Sequence, residues 1–393
     1  MNDISVFIKN HEAPFYIYSK EQIKKNIEIL KNALEGAEIL FSIKANPFPP
    51  VIGFLAENGV GSDAASKNEV KLSLECGIKP ENIYYSAAGK TCADIEKTAG
   101  NCTVTADSFS ELSLINTYAA EKSIIMEVGL RVNPLFSMFS SSPCSSKFGV
   151  DEELLYNSEY IKSLKNIKIT GIHVHVRSQV LNAETLVNYY NNVYDMALKL
   201  NMEPTFDIKF INFGGGIGHR YSKTSDAYLD FSTLKEGFGE LCTRNKDALN
   251  ARLIVESGRF LLCGAGIYVT EIVDIKTSRG KKYLIAKNGL NGFVRASMRD
   301  IFTEIPVSES FSSEPLYTSK DAFEISILTD EKELETVDLC GNLCTAIDTV
   351  AKGVKLPKAK IGDKITITNA GSYAYTLTPL LFSSHDLPKE YLI

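Results

Sequence analysis

The sequence predicts an α/β protein: a parallel (β/α)8 barrel, TIM-like, joined to a C-terminal antiparallel β domain of sandwich or barrel type. Between about residues 37 and 262, short apolar strand-like runs alternate with amphipathic helical stretches. Eight such units over roughly 230 residues match the count and length of a closed barrel. Residues able to do chemistry stand at nearly every strand end, which favours closure over a doubly wound open sheet. After residue 262 the helical pattern gives way to strands.

In chain order, "FYIYS" (15–19) is strand-like, precedes the barrel and can join the later sheet. "KEQIKKNIEILKNAL" (20–34) is an amphipathic helix. The barrel strands are placed at 37–46, 59–64, 82–87, 102–107, 124–133, 169–176, 210–216 and 251–257, with helices such as 66–77 and 184–200 between them. The serine-rich stretch 135–150 is long for a connection and is read as a mobile loop over the active face. "GIYVTEIVDIKTSRGKKYLIAKNG" reads as two strands around the turn "SRGK", and "KITITNAGSYAYT" as another strand. The barrel domain is therefore set at 20–262, and the β-rich domain at 1–19 plus 263–393.

Bulk properties exclude several function classes. The 393 residues are 44% hydrophobic with a formal charge of −6 and no basic blocks, which does not suit a nucleic-acid or anionic-membrane surface. No apolar run approaches the roughly 20 residues of a membrane span. The N-terminal stretch lacks a basic-then-apolar signal pattern, so a cytoplasmic protein is expected. The eight cysteines are scattered without a C-x2-C pair, and are expected as reduced thiols with no metal site.

Four features carry the chemistry. "FSIKANP" places Lys44 near the end of the first barrel strand. In a low-dielectric pocket its amine is freed to form a Schiff base; the plain alternative is a rim lysine paired with a carboxylate. "FGGGIG" (213–218) follows the seventh strand, and Gly214, Gly215 and Gly216 expose backbone N–H groups suited to a phosphate, unless the run is only a turn. "HVHVRSQ" follows the sixth strand with His173 and His175 on one face; a histidine there can stack on an aromatic cofactor or sit hydrogen-bonded in the core, and Ser178 offers a hydroxyl. The eighth strand ends "VESGRF", where Glu256 needs a partner: a protonated pyridine nitrogen, or Arg259. Pyridoxal 5'-phosphate is the one cofactor that needs all four at once.

In "SIKANP", "GSDAASKNE", "SSKFGV", "HVHVRSQ", "FGGGIG", "ESGRF", "GNLC" and "AGSYAYT", which appear in this order over almost the whole chain, the sequence resembles the fold-type III pyridoxal-phosphate decarboxylases, the alanine racemase-like group containing diaminopimelate and ornithine decarboxylases. The resemblance implies Lys44 as the Schiff-base lysine and His175 on the pyridine ring. It implies Ser178, Gly214, Gly215, Gly216 and Tyr373 on the phosphate, Glu256 on the ring nitrogen, and Arg259 near phosphate or substrate. Asp63, Glu69 and Arg131 match supporting positions. Cys344 matches the cysteine that one subunit of a homodimer presents to the other's site to protonate the substrate after decarboxylation. Alanine racemases resemble a pattern with arginine at the ring nitrogen, so Glu256 argues for a decarboxylase. A non-catalytic binding protein on the same fold is the reading from another class.

For the substrate, "NGLNGFVRASMRDIF" (288–302) matches the segment that reads the distal end. Arg295 matches the arginine used for a distal carboxylate, and Arg299 stands one helical turn on, where diaminopimelate decarboxylase has tyrosine. Thr345 replaces the acidic residue used for a distal ammonium. Asn342 stands where proline is usual and Arg177 where glycine is usual. The tail "SSHDLPKEYLI" and the segment "GRFLLCGAGIYVTEIVDIK" most resemble the branch acting on modified substrates: siderophore citryl-diamino acid decarboxylases and the butirosin-type glutamyl-carrier-protein decarboxylases. A citryl-diamino acid conjugate in siderophore biosynthesis is the leading expectation. Diaminopimelate and a carrier-linked amino acid are the alternatives.

Overall fold

The computed structural model describes residues 2–138, 144–224, 226–304, 306, 308, 311–319 and 321–393. The chain divides into two compact units. One holds Lys25–Gly218 and Ala227–Gly258; the other holds Met1–Lys24, His219–Asp226 and Arg259–Ile393. The octapeptide His219–Asp226 thus joins the β-rich unit although it lies inside the 20–262 range expected for the barrel.

The first unit is a closed parallel barrel. Its strands are Ala37–Ser42, Gly61–Ala64, Ile83–Tyr85, Thr103–Ala106, Met126–Asn133, Ile167–His173, Phe206–Asn212 and Arg252–Ser257. Each pairs with its neighbours in parallel register, and closure runs through Leu253↔Ala37. All eight overlap the runs read from the sequence, but the seventh, Phe206–Asn212, begins and ends four residues earlier than the 210–216 expected, so the glycine run lies in the loop after it. The interior is packed: Leu40, Tyr84, Phe210 and Ile254 form one buried cluster. Phe210 fills space left by two glycines, since a Cβ on Gly171 would lie 2.3 Å from its ring and one on Gly129 2.9 Å.

The βα loops end in residues that satisfy the orphan amides of the following helix. Ser66 caps Lys67–Glu75, Ser108 caps Phe109–Glu121, Asn182 caps Ala183–Leu200 and Asp230 caps Phe231–Ala248. Thr91 and Asp94 form a reciprocal capping box at Cys92–Thr98. Of the loop expected at 135–150, residues 139–143 lie outside the described residues. Its far end is tied down by Val150↔Val132 pairing and by Phe148, whose ring lies 4.3 Å from the Arg131 guanidinium.

The second unit is built on an eight-stranded sheet. The long strand Gly266–Ser278 is its spine, pairing antiparallel with Phe15–Tyr18, Lys281–Ala286 and Lys364–Ile367. The turn after Ser278 uses Arg279 and Gly280 at φ 49° and 78°, the left-handed pair that suits a tight hairpin. Most pairings are antiparallel as expected; Phe15–Tyr18 with Lys389–Leu392, and Lys281–Ala286 with Leu334–Cys340, are parallel. The N-terminal helix Asn2–Asn10 is sealed against this sheet by Ile8, Phe15, Ile17 and Val269.

Candidate active site

The C-terminal edge of the barrel carries Lys44, Asp63, His175, Ser178, the glycine run and Glu256. Strand Ala37–Ser42 passes into a single 3-10 turn, Ile43–Ala45, which turns Lys44 out at the rim. The Lys44 Nζ stands 3.5 Å from Asp63 Oδ2, on the neighbouring strand. Its side chain is 50% exposed, so the low-dielectric pocket expected for it is not seen; the amine sits at an open face with an anionic partner. Asp63 is buried and is oriented by Ser86, whose hydroxyl donates to Oδ1 at 2.8 Å. Behind it, Glu69 accepts from Ala65 N at 2.6 Å, and burial pushes its carboxyl up to about 6.

Glu256 is buried at the end of its strand, and its partner is not Arg259. Asn212 Nδ2 donates to Glu256 Oε1 at 2.8 Å, while His173 Nε2 lies 3.2 Å from the same oxygen without the alignment of a directed hydrogen bond. Burial alone would raise this carboxyl, but His173 and Lys44 outweigh it and hold it well below the usual carboxylate range. Glu256 is therefore an anion across the physiological range.

The phosphate-type cradle is welded to these groups. Asn212 Oδ1 accepts from Gly214 N at 2.9 Å, so one buried amide orients both Glu256 and the glycine run. Gly214 is at φ +67°, and a Cβ there would lie 2.4 Å from Val174 O; no other residue fits. Gly215 N donates to His175 Nδ1 at 3.1 Å, which leaves the ring proton on Nε2, 3.4 Å from Ser178 Oγ. Desolvation, with Lys44 adding to it, pulls His175 down to about 3, so the imidazole is neutral. Arg177 is half-buried beside this loop. Arg131 is buried and lies 3.5 Å from Asp107.

Several contributors escaped the sequence reading. Asn212 sits inside the "FINFGGG" strand, where an asparagine among apolar residues was the available signal. Lys90 is fully buried and pairs with Glu111 at 3.0 Å while donating to Thr105 O at 2.6 Å. The Tyr189 hydroxyl lies 2.8 Å from Val174 O and 2.9 Å from Phe213 O and shares its one proton between them, bracing the two segments that carry His175 and the glycines.

The β-rich unit holds a second group. Arg259, buried, donates to Tyr221 Oη at 3.1 Å and to Ser313 O at 3.3 Å, and lies 5.3 Å from the Tyr373 ring centre. Arg295, fully buried in the helix Val294–Glu304, lies 4.9 Å from the Tyr221 ring and 5.5 Å from Phe323. Arg299, one turn on, is buried with Asp300 at 3.8 Å as its ion-pair contact and no hydrogen bond among the described residues. Cys344 is exposed, its Sγ 4.0 Å from Ser383 Oγ, and Thr345 follows it half-buried. Asp348 shapes this loop by accepting from Leu290 N and Leu343 N.

These groups fit pyridoxal phosphate. An accessible amine is present for an aldehyde, an obligate carboxylate for a ring nitrogen, and a neutral imidazole lies beside amides that a side chain would obstruct. The comparisons agree. Residues 20–263 match the family model "Pyridoxal-dependent decarboxylase, pyridoxal binding domain". The chain is 27% identical to a diaminopimelate decarboxylase of Aquifex aeolicus, covering 93% of this chain and 83% of that protein. It is 28% identical to the L-glutamyl-[BtrI acyl-carrier protein] decarboxylase of Niallia circulans, covering 99% and 91%. The crystal structure of Helicobacter pylori diaminopimelate decarboxylase complexed with L-lysine aligns with a TM-score of 0.82 at 26% identity, covering 99% and 94%. With the fold, the donor set and the family model in agreement, this chain belongs to the pyridoxal-dependent decarboxylases and is a pyridoxal-phosphate-dependent amino acid decarboxylase.

Proposed function

We propose that this decarboxylase acts on an amino acid whose distal end carries an anionic conjugate, a citryl-diamino acid of siderophore assembly. The observation that supports this most directly is the pair of buried arginines on one helix face. Arg295 meets only carbonyls and aromatic rings, and Arg299 has no hydrogen bond among the described residues. Burying a guanidinium without a carboxylate hydrogen-bonded to it is costly, and a bidentate carboxylate relieves it. Thr345 offers no charge for a distal ammonium.

In this reading Lys44 anchors the cofactor aldehyde, with Asp63 holding the amine in place. Glu256 keeps its negative charge at the ring nitrogen, oriented by Asn212. His175 lies against the ring. Gly214, Gly215, Gly216 and Ser178 hold the phosphate. Bound there, pyridoxal phosphate would supply the electron sink for the bonding pair that departing carbon dioxide leaves on the α-carbon. In a homodimer with shared sites, the Cys344 Sγ of one protomer returns a proton to the substrate α-carbon. The exposed apolar side chains Ile347, Leu381 and Phe382 flanking Cys344 and its neighbour Ser383 support such a dimer.

Carbon dioxide release from citryl-diaminopropionate and citryl-ornithine, compared with meso-diaminopimelate and a carrier-linked glutamate, tests the substrate. Turnover of a citryl conjugate is expected; turnover of diaminopimelate alone rejects it. The Aquifex aeolicus likeness favours diaminopimelate as the second reading.

A further inference from the structure

The octapeptide His219–Asp226 belongs to the β-rich unit, and several of its described residues are anchored there. Tyr221 N and Ser222 N both donate to Asp226 Oδ2 at 2.9 Å, and Thr224 Oγ1 donates to Asp321 Oδ2 at 2.8 Å. His219 Nε2 lies 3.0 Å from Asn369 Oδ1, and its ring fills the space beside Gly264, where a Cβ would meet it at 2.9 Å. This clamp delivers Tyr221 to two arginines distant in sequence. Its hydroxyl accepts from Arg259, and its ring face carries the Arg295 guanidinium. Burial pushes the phenol pKa up, so the side chain stays neutral.

Neither arginine forms an ion pair or hydrogen bond with a carboxylate among the described residues. Arg259 is completed by Tyr373 and a carbonyl; Arg295 by Phe323 and two carbonyls at 3.3 and 3.4 Å, with its Nε unpartnered. Aromatic faces and a phenol orient a guanidinium without cancelling its charge, whereas a carboxylate would consume it. We propose that Tyr221 is a positioning residue that sets Arg259 and Arg295 as one paired receptor for two anionic groups, leaving both charges for ligands. The inference rests on the reading that Arg295 takes a substrate carboxylate. The second anion is a phosphate or another carboxylate, a difference the experiment resolves.

The test uses the full-length protein with two probes. Pyridoxal phosphate is titrated into the apoprotein, with pyridoxal as the phosphate-free control, and citrate is titrated into the holoprotein by calorimetry. Arg259→Met identifies which anion Arg259 reads, and Arg295→Met does the same for its partner. Tyr221→Phe keeps the ring and removes the hydroxyl; it should weaken only the anion that Arg259→Met weakens, by roughly five- to tenfold. Tyr221→Leu removes both functions and should weaken both anions. A Tyr221→Phe effect that does not follow Arg259, or a Tyr221→Leu protein with unchanged affinities, overturns the inference. Equal weakening of both probes by Phe and Leu also overturns it, because that is loosened packing. If Tyr221→Leu fails to fold, the Phe variant alone decides. An Arg295→Met protein that binds citrate normally rejects the substrate reading, while the Tyr221–Arg259 arm still reports on positioning.

Discussion

The raised Glu69 carboxyl has a measurable consequence. Its folded pKa is about 6 against an ordinary 4.5, so the folded chain holds the proton more tightly than the unfolded chain. The stability tied to that proton is fully present below pH 4.5 and is lost as pH rises through 6. Glu69→Gln keeps an acceptor for Ala65 N and removes the titration. Relative to wild type, the variant should gain about 1–2 kcal/mol in urea unfolding at pH 7, and no such gain at pH 4. Glu256 shows the opposite case, a buried carboxylate held ionised with His173 and Lys44 beside it. Its position was legible from one acid ending an apolar strand. Its partner was not: Arg259 is only three residues away, but the chain turns at Gly258 and the guanidinium goes to Tyr221 instead. Proximity in sequence says little about pairing where a strand gives way to a helix.

Among the elements, the eight barrel strands were legible because each is a short apolar run between capped helices, which local pattern alone encodes. The Lys90–Glu111 link was not, because two ordinary surface-type residues 21 positions apart give no local sign of burial. It joins the end of one strand to the helix after the next: Glu111 also accepts from Gly89 N, Lys90 N and Asp107 N. Removing one member leaves a buried, uncompensated charge. Lys90→Met should cost about 3–5 kcal/mol in thermal or urea unfolding, and the Lys90→Met, Glu111→Leu double variant should recover part of that loss. A double variant no better than the single one would show that Glu111 serves the three amides more than the lysine.

At the scale of the molecule, the proposed shared site makes a prediction about mixtures. Lys44→Ala and Cys344→Ala proteins should each be nearly inactive. If the two residues act from different protomers, unfolding and refolding the two together should restore part of the activity through hybrids with one intact site. No recovery would place both residues in the same protomer's site. The His219–Asp226 allegiance was illegible from sequence because its anchors, Asn369, Asp321 and Glu324, lie about a hundred or more residues downstream. That octapeptide also changes what can be cut from this protein. The backbone passes between the two units four times, at 24/25, 218/219, 226/227 and 258/259, so neither is a continuous stretch of gene. A barrel expressed by itself as 25–258 would carry His219 and Tyr221 as orphaned side chains stripped of their partners. Such a fragment should be sticky and readily nicked by protease at that loop, and swapping the β-rich unit between relatives would require splicing three segments, not one.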